Sequence, residues 1–286
     1  MIAFVMAGGA SLGAVQVGML RALYERQIAP ELIIGSSVGA INGAYIASRP
    51  PTVQTAESLA ERWRALHTFE VFPPHPITGL LGLLGRRDYF VPNTGVKALL
   101  AAHLQFERLE DSPIPLHVIA TEVRTGTERR LSRGDAVAAL LASTAIPGVF
   151  PPIWFQGEEL MDGGISNNAA ISDAAELGAN RIYVLPTGIS CELSTGPRGA
   201  IPMLVHALLL LIGRRLARDV EQFSHDVELI VLVPPCPLEV SPMDFSHASE
   251  LIDSSYELAC QTLDHPDPGA HGIPRALERL KPHDHD

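Results

Sequence analysis

The chain has 286 residues, of which 47% are hydrophobic and only 19% charged, enough apolar material for a large core and too little charge for general disorder. A formal net charge of −11 argues against a nucleic-acid partner, which requires a basic surface, and against polybasic attachment to anionic lipid. Three cysteines, Cys191, Cys236 and Cys260, are odd in number and far apart, a pattern that fits a reducing cytoplasm better than a disulfide framework.

Ile2–Met6 is a short apolar run suited to a buried strand, and no basic residue precedes it, so no secretory leader is expected. It breaks at Ala7-Gly8-Gly9-Ala10-Ser11-Leu12-Gly13, and a helical pattern follows to Glu25, with Val17, Leu20, Ala22 and Leu23 toward the sheet. Leu32–Ile34 is a second strand. It runs into Gly35-Ser36-Ser37-Val38-Gly39, after which residues 40–47 read as helix. Strands alternating with helical crossovers imply a parallel sheet covered on both faces, a three-layer α/β/α fold.

A further helix is expected over Ala56–Leu66. Residues 73–93 are rich in Pro and Gly yet apolar, and read as an irregular segment, either packed or serving as a lid or membrane-contact loop. Pro115–Ala120 is a strand, Thr125-Gly126 a turn into Thr127–Leu131, and Ala136–Ser143 an Ala-rich helix. Pro147, Pro151 and Pro152 forbid regular structure over 145–153. Asp162-Gly163-Gly164 is a tight turn after Leu160-Met161. Ala169–Leu177 is helical, Arg181–Leu185 a buried strand, 203–223 a helix and Leu229–Val233 the last strand. The apolar stretch 200–213 contains Pro202 and His206 and falls short of the about 20 residues of a membrane span. The tail after His265 is expected to fray. No repeat or boundary divides the chain, so residues 1–286 read as one domain of a cytoplasmic protein, peripheral to a membrane at most.

The chemistry concentrates at Ser37. Gly35, Ser37 and Gly39 form G-x-S-x-G between strand and helix, the pattern of a turn that holds a serine hydroxyl over the end of a sheet. Such a turn brings two backbones together and leaves no room for a Cβ beside the serine. A serine hydroxyl needs a base for its proton and donors for the oxyanion. Backbone N–H groups of Gly8, Gly9 and Ala10, after the first strand, can supply the donors. The rival phosphate-loop reading is weaker: Gly8 and Gly13 match G-x-x-x-x-G, but neither G-x-G-x-x-G nor a Walker lysine is present, so no nucleotide cofactor and no metal is expected. For the base, the later histidines (His206, His225, His247, His265 and those of the tail) lie in helical or terminal stretches. Asp162 lies at a strand end, between apolar residues and two glycines.

These motifs, in this order, resemble those of patatin-like phospholipases: Gly8-Gly9-Ala10-Ser11-Leu12-Gly13, the Ser37 turn, the block 142–147 with Phe150-Pro151-Pro152, and Asp162-Gly163-Gly164-Ile165-Ser166-Asn167-Asn168 with Gly178-Ala179. The resemblance covers residues 1–187 and stops before 190–286. It implies a Ser–Asp dyad without histidine acting on lipid or other acyl esters: Ser37 as nucleophile, Asp162 as base, Gly8, Gly9 and Ala10 lining the oxyanion hole, and Gly35, Gly39, Gly163 and Gly164 shaping the turns. A solvated aspartate, with a pKa near 3.9, is a feeble base. Burial among Ile153, Trp154, Phe155, Leu160 and Met161 is expected to raise it. The family usually carries a glycine where Ala10 stands and a basic residue where Leu12 stands. Alanine tolerates positive φ poorly, so a differently shaped loop is expected; leucine brings no positive charge, which moves the expected substrate from phospholipid toward neutral lipid or simple esters. A Ser–Asp–His esterase and an inactive lipid-binding member remain the alternatives.

Overall fold

Side chains of β1 (Ile2–Met6) alternate between two buried clusters, Phe4 and Met6 on one side, Ala3 and Val5 on the other. After α1 (Ala14–Glu25), β2 (Leu32–Ser36) splits the same way, with Ile33 opposed to Leu32 and Ile34. A strand with two buried faces requires helices on both sides of the sheet. The computed structural model describes residues 1–189, 196, 198–236 and 240–265, and within them this three-layer arrangement is complete.

The remaining elements run in order. α2 (Val38–Ala47), α3 (Val53–Ala65), α4 (Thr68–Val71), α5 (Pro76–Leu83) and α6 (Thr94–His103) precede β3 (Leu116–Glu122) and β4 (Glu128–Leu131). Then come α7 (Ala136–Ser143), β5 (Ile153–Phe155), β6 (Glu158–Asp162), α8 (Gly164–Asn167), α9 (Ile171–Glu176) and β7 (Arg181–Leu185). α10 (Ala200–Phe223), β8 (Glu228–Val231) and α11 (Ala248–Asp264) complete the set. The sheet order is β5-β6-β3-β2-β1-β7-β8, with β4 also on β3; the pairs β3-β2, β2-β1, β1-β7 and β7-β8 are parallel, and those involving β4, β5 and β6 antiparallel.

One detail of register positions the site. β4 pairs with residues 118–121 of β3, whereas β2 pairs with 116–119 and β6 with 120–122. Ile119 therefore has β2 and β4 on its two sides, and Ala120 has β6 and β4. β2 and β6 thus occupy the same edge of β3 in tandem: Ser36 lies opposite Ile119, and Asp162 opposite Ala120. The chain leaves β2 at Ser37 where β6 arrives from the other direction.

Three expectations change. Residues 73–93 are not wholly irregular. α5 forms with Pro76 in its first turn, where a missing N–H costs nothing, and Gly82 lets it close on Tyr89 and Phe90. The prolines keep 145–152 out of the sheet, but β5 begins at Ile153 and turns back into β6. Cys236 is disulfide-bonded while Cys260 is a free thiol, so the wide spacing of the cysteines did not keep all of them unpaired. Cys191 and the tail after His265 lie outside the described residues. No helix among the described residues is long and apolar enough to cross a membrane.

α11 packs along α1, contributing Leu251, Ile252 and Ala259 to the same cluster as Met19 and Leu23. Gly18 permits the close approach, since a Cβ there would collide with the Ile252 carbonyl and the Ser255 hydroxyl. Gly18→Leu is therefore expected to push α11 off α1 and destabilise the protein by about 2–3 kcal/mol, the usual cost of overpacking. Urea unfolding followed by circular dichroism reads this directly; an unchanged midpoint would refute the close packing.

Candidate active site

Ser37 follows β2 and precedes α2, with φ 52° and ψ −126°, a region that side chains rarely occupy. Such a conformation costs on the order of 1–3 kcal/mol and persists only where the surroundings hold it. Here they do. Its N–H donates to Ser143 Oγ at 2.8 Å, Ser143 Oγ donates in turn to the Ile119 carbonyl at 2.6 Å, and the Ser37 carbonyl accepts the Ala40 N–H at 2.9 Å. The flanking glycines are sterically required: a Cβ on Gly39 would collide with the Met6 carbonyl, and one on Gly35 with the Ala40 backbone.

The Ser37 hydroxyl donates to Asp162 Oδ2 at 2.6 Å, and both residues are buried. The neighbouring Ser36 hydroxyl is different. It is buried without a hydrogen-bond partner and faces Gly163. Asp162 ends β6 on the face that carries Leu160, opposite Ala120. Its Oδ1 accepts the Gly164 N–H at 2.8 Å, and its carbonyl accepts the Thr121 hydroxyl at 2.8 Å. Gly163 also admits no Cβ, which would strike the Ile119 carbonyl. Its N–H donates to the Ser143 carbonyl at 3.2 Å, so Ser143 ties the serine turn to the aspartate turn.

Burial pushes the Asp162 carboxyl up to about 6, although the bonds from Ser37 and Gly164 pull the other way. The source of that burial differs in part from expectation. Trp154 is 70% exposed and shields nothing, whereas Leu160 and Ala120 share the carboxylate's face.

In the glycine loop the N–H of Gly8 is occupied, donating to Asn168 Oδ1 at 3.0 Å, and its carbonyl accepts the Thr187 hydroxyl. Among the described residues the N–H groups of Gly9 and Ala10 carry no hydrogen bond. Ala10 has φ 51°, the left-handed region where glycine would be at no cost, and it borders the same cavity as Ser37. Leu12 is buried in the core and places no charge there. A buried network fixes the loop from behind: Gln16 Nε2 donates to the Ala7 and Leu185 carbonyls, Asn42 Nδ2 donates to Gln16 Oε1 and the Gly13 carbonyl, and Trp63 Nε1 donates to Asn42 Oδ1.

A cavity of about 270 Å³ borders Ser37. Its walls are mainly apolar, with Trp63 stacked on Phe245 and Phe72 on Phe150. Among the described residues no histidine bonds Ser37 or Asp162. A serine, a carboxylate poised to take its proton, free N–H donors and an apolar cavity together have the parts needed for acyl transfer. Ser143, Asn168 and Gln16 escaped the sequence reading as participants. The available signal was polarity out of place, a serine ending the apolar helix α7 and a glutamine within the buried face of α1.

The raised carboxyl has a consequence for stability. The folded-state value of Asp162 lies above the unfolded value, so ionising it costs stability progressively from about pH 4 to 6 and fully above. Asp162→Asn is expected to stabilise the protein at pH 7 by on the order of 2 kcal/mol, and the gain should vanish below pH 4. Denaturant unfolding at the two pH values checks this; no gain at pH 7 would contradict it.

The patatin-like phospholipase family model matches residues 4–175. Among curated relatives, the mouse (Mus musculus) patatin-like phospholipase domain-containing protein 7 is 29% identical over 192 residues, 65% of this chain and 14% of that protein. Lysophospholipase NTE1 of Mycosarcoma maydis is 27% identical over 191 residues, 65% of this chain and 10% of that protein. The chain thus spans only a small part of the length of these relatives. The solved structure of VipD from Legionella pneumophila superposes with a TM-score of 0.49 at 14% identity, covering 92% of this chain and 66% of that one. The family match covers more than half of the sequence and includes Ser37 and Asp162: the chain belongs to the patatin-like phospholipase family.

Proposed function

We propose that the protein is a serine acyl-ester hydrolase, of phospholipase A, lysophospholipase or esterase type, working through a Ser37–Asp162 dyad. The observation that carries this is the 2.6 Å bond from the Ser37 hydroxyl to a buried carboxylate beside an apolar cavity. Family membership and a relative named as a lysophospholipase support a lipid acyl ester as substrate.

Ser37 Oγ attacks the ester carbonyl while its proton passes to Asp162 Oδ2. The oxyanion is met by the N–H groups of Gly9 and Ala10 and by the N-terminus of α2, with Gly8 anchoring the loop through Asn168. Collapse expels the alcohol, which takes the proton from Asp162 and leaves Ser37 acylated. Water then attacks the acyl-enzyme, giving its proton to Asp162, and the acid departs as Ser37 regains its hydrogen. A triad would need a histidine beside Ser37, and the bonding around Ser37 and Asp162 favours the dyad. An inactive lipid-binding member is less favoured, because the serine, the carboxylate and free donors are all present. Leu12, buried and neutral, favours neutral or simple esters over phospholipid. The packing of α11 on α1 supports one domain extending past the family match.

A lipid surface is the proposed docking partner. Ile77, Leu80 and Leu84 lie on one stripe of α5 and its end, all exposed, with Arg86 and Arg87 following. The chain at Phe90 and Val91 bonds Gly148 and Val149, between the cavity residues Ile146 and Phe150.

Three outcomes are expected. On soluble short-chain esters kcat/KM should be flat above about pH 6 and fall tenfold per unit below, because only ionised Asp162 accepts the proton; Ser37→Ala should lower it at least 1,000-fold (roughly 4 kcal/mol). A pH-independent rate or an active Ser37→Ala would sink the dyad. Leu80→Asp should reduce co-sedimentation with zwitterionic phospholipid vesicles severalfold, and unchanged sedimentation would remove α5 as the contact.

A further inference from the structure

Three helices wall the cavity along their lengths. α2 contributes Val38, Ile41, Asn42 and Tyr45, spaced as one helical stripe that starts next to Ser37. α6 contributes Val96, Leu99, Leu100 and His103, a second stripe, and α3 supplies Leu59 and Trp63, with Leu66 just past its end. At 1.5 Å per residue, the eight steps from Ser37 to Tyr45 span about 12 Å, and those from Val96 to Leu104 about the same.

The two stripes run in the same direction. The start of α6 lies by Glu70, two residues before Phe72, whose ring packs on Phe245, which stacks on Trp63; Trp63 and Val38, the residue after Ser37, both crowd Gly13. The end of α6 lies by the end of α2, where Arg49 Nη2 donates to the His103 carbonyl at 2.9 Å. Here the lining changes character. Arg49 stacks 3.7 Å over the Tyr45 ring, Arg62 and His103 both border the cavity, and the charges of Arg62 and Arg49 add to burial in holding His103 below its ordinary range. The far end is therefore a cationic rim on a mainly apolar channel.

We infer that this channel measures the acyl chain, favouring chains of about eight to ten carbons and giving no further gain beyond them. The inference rests on the hydrolase reading and names the substrate class for that site. An extended alkyl chain built from bonds of about 1.5 Å advances about 1.25 Å per carbon, so about 12 Å takes roughly nine or ten carbons from the serine to the rim. Each methylene that enters leaves water and adds about fourfold to kcat/KM. Past Tyr45 and His103 the next methylenes meet guanidinium and imidazole groups with their hydration, and the gain stops.

The test is hydrolysis of p-nitrophenyl esters from butyrate to palmitate, each below its micellar concentration. In the wild type kcat/KM rises with length and breaks near decanoate. Ile41→Trp, which fills the channel one turn from Ser37, moves the break to shorter chains and lowers the decanoate-to-butyrate ratio at least tenfold. Arg62→Leu, an exposed position that should fold normally, moves the break to longer chains. A steady rise through palmitate, or a break that neither variant moves, overturns the inference while leaving the hydrolase intact. Absence of any Ser37-dependent hydrolysis defeats the hydrolase reading instead. The channel is then judged on thermal shifts with free fatty acids of the same lengths: stabilisation that stops growing near ten carbons upholds its length, and stabilisation that continues to sixteen rejects it.

Discussion

The arrangement depends on β3 lending one edge to two partners in succession. β2 holds that edge up to Ser36 opposite Ile119, and β6 takes it over at Asp162 opposite Ala120. A parallel strand and an antiparallel strand therefore meet head to head, and the residues at the junction are the serine and the carboxylate. Their 2.6 Å bond follows from this register. A slip of one residue in either pairing would turn a side chain to the opposite face and separate them.

Two costs are concentrated at that junction. Ser37 occupies a backbone region disfavoured for any residue with a side chain, and Asp162 is a carboxylate in surroundings that disfavour its charge. Ser143 answers the first by accepting the Ser37 N–H, and its carbonyl secures the Asp162 turn through Gly163. The glycines at 35, 39 and 163 allow three backbones to approach closely enough for these bonds. The raised carboxyl makes the second cost useful, since a group titrating near 6 can take a proton at neutral pH and return it.

Much of this was legible in the sequence. The strand–turn–helix of residues 32–47 marked Ser37, and the two glycines after Asp162 marked a turn that presents a carboxylate. What sequence could not convey was which strands are neighbours, so the tandem edge of β3 and the clamp by Ser143 were invisible. The glycine loop was read as a source of three N–H donors. Three residues qualify by composition, whereas the Asn168 amide, 160 positions away, occupies the Gly8 N–H and leaves Gly9 and Ala10. Trp154 failed as a shield because β5 is a short strand at the edge of the sheet, and the alternation of its side chains turns that ring to solvent. α5 was missed because two glycines masked a helix that tertiary contact with Tyr89 and Phe90 completes.

Activation of Ser37 by Asp162 is the central requirement of the proposed chemistry. Reaction with a fluorophosphonate, followed by peptide mass spectrometry, addresses this without assuming a substrate. The predicted result is one adduct, on the peptide carrying Ser37, that forms at least 100-fold more slowly in Asp162→Ala (roughly 3 kcal/mol of activation). An adduct on another residue, or labelling of Ser37 at an unchanged rate without Asp162, would contradict it.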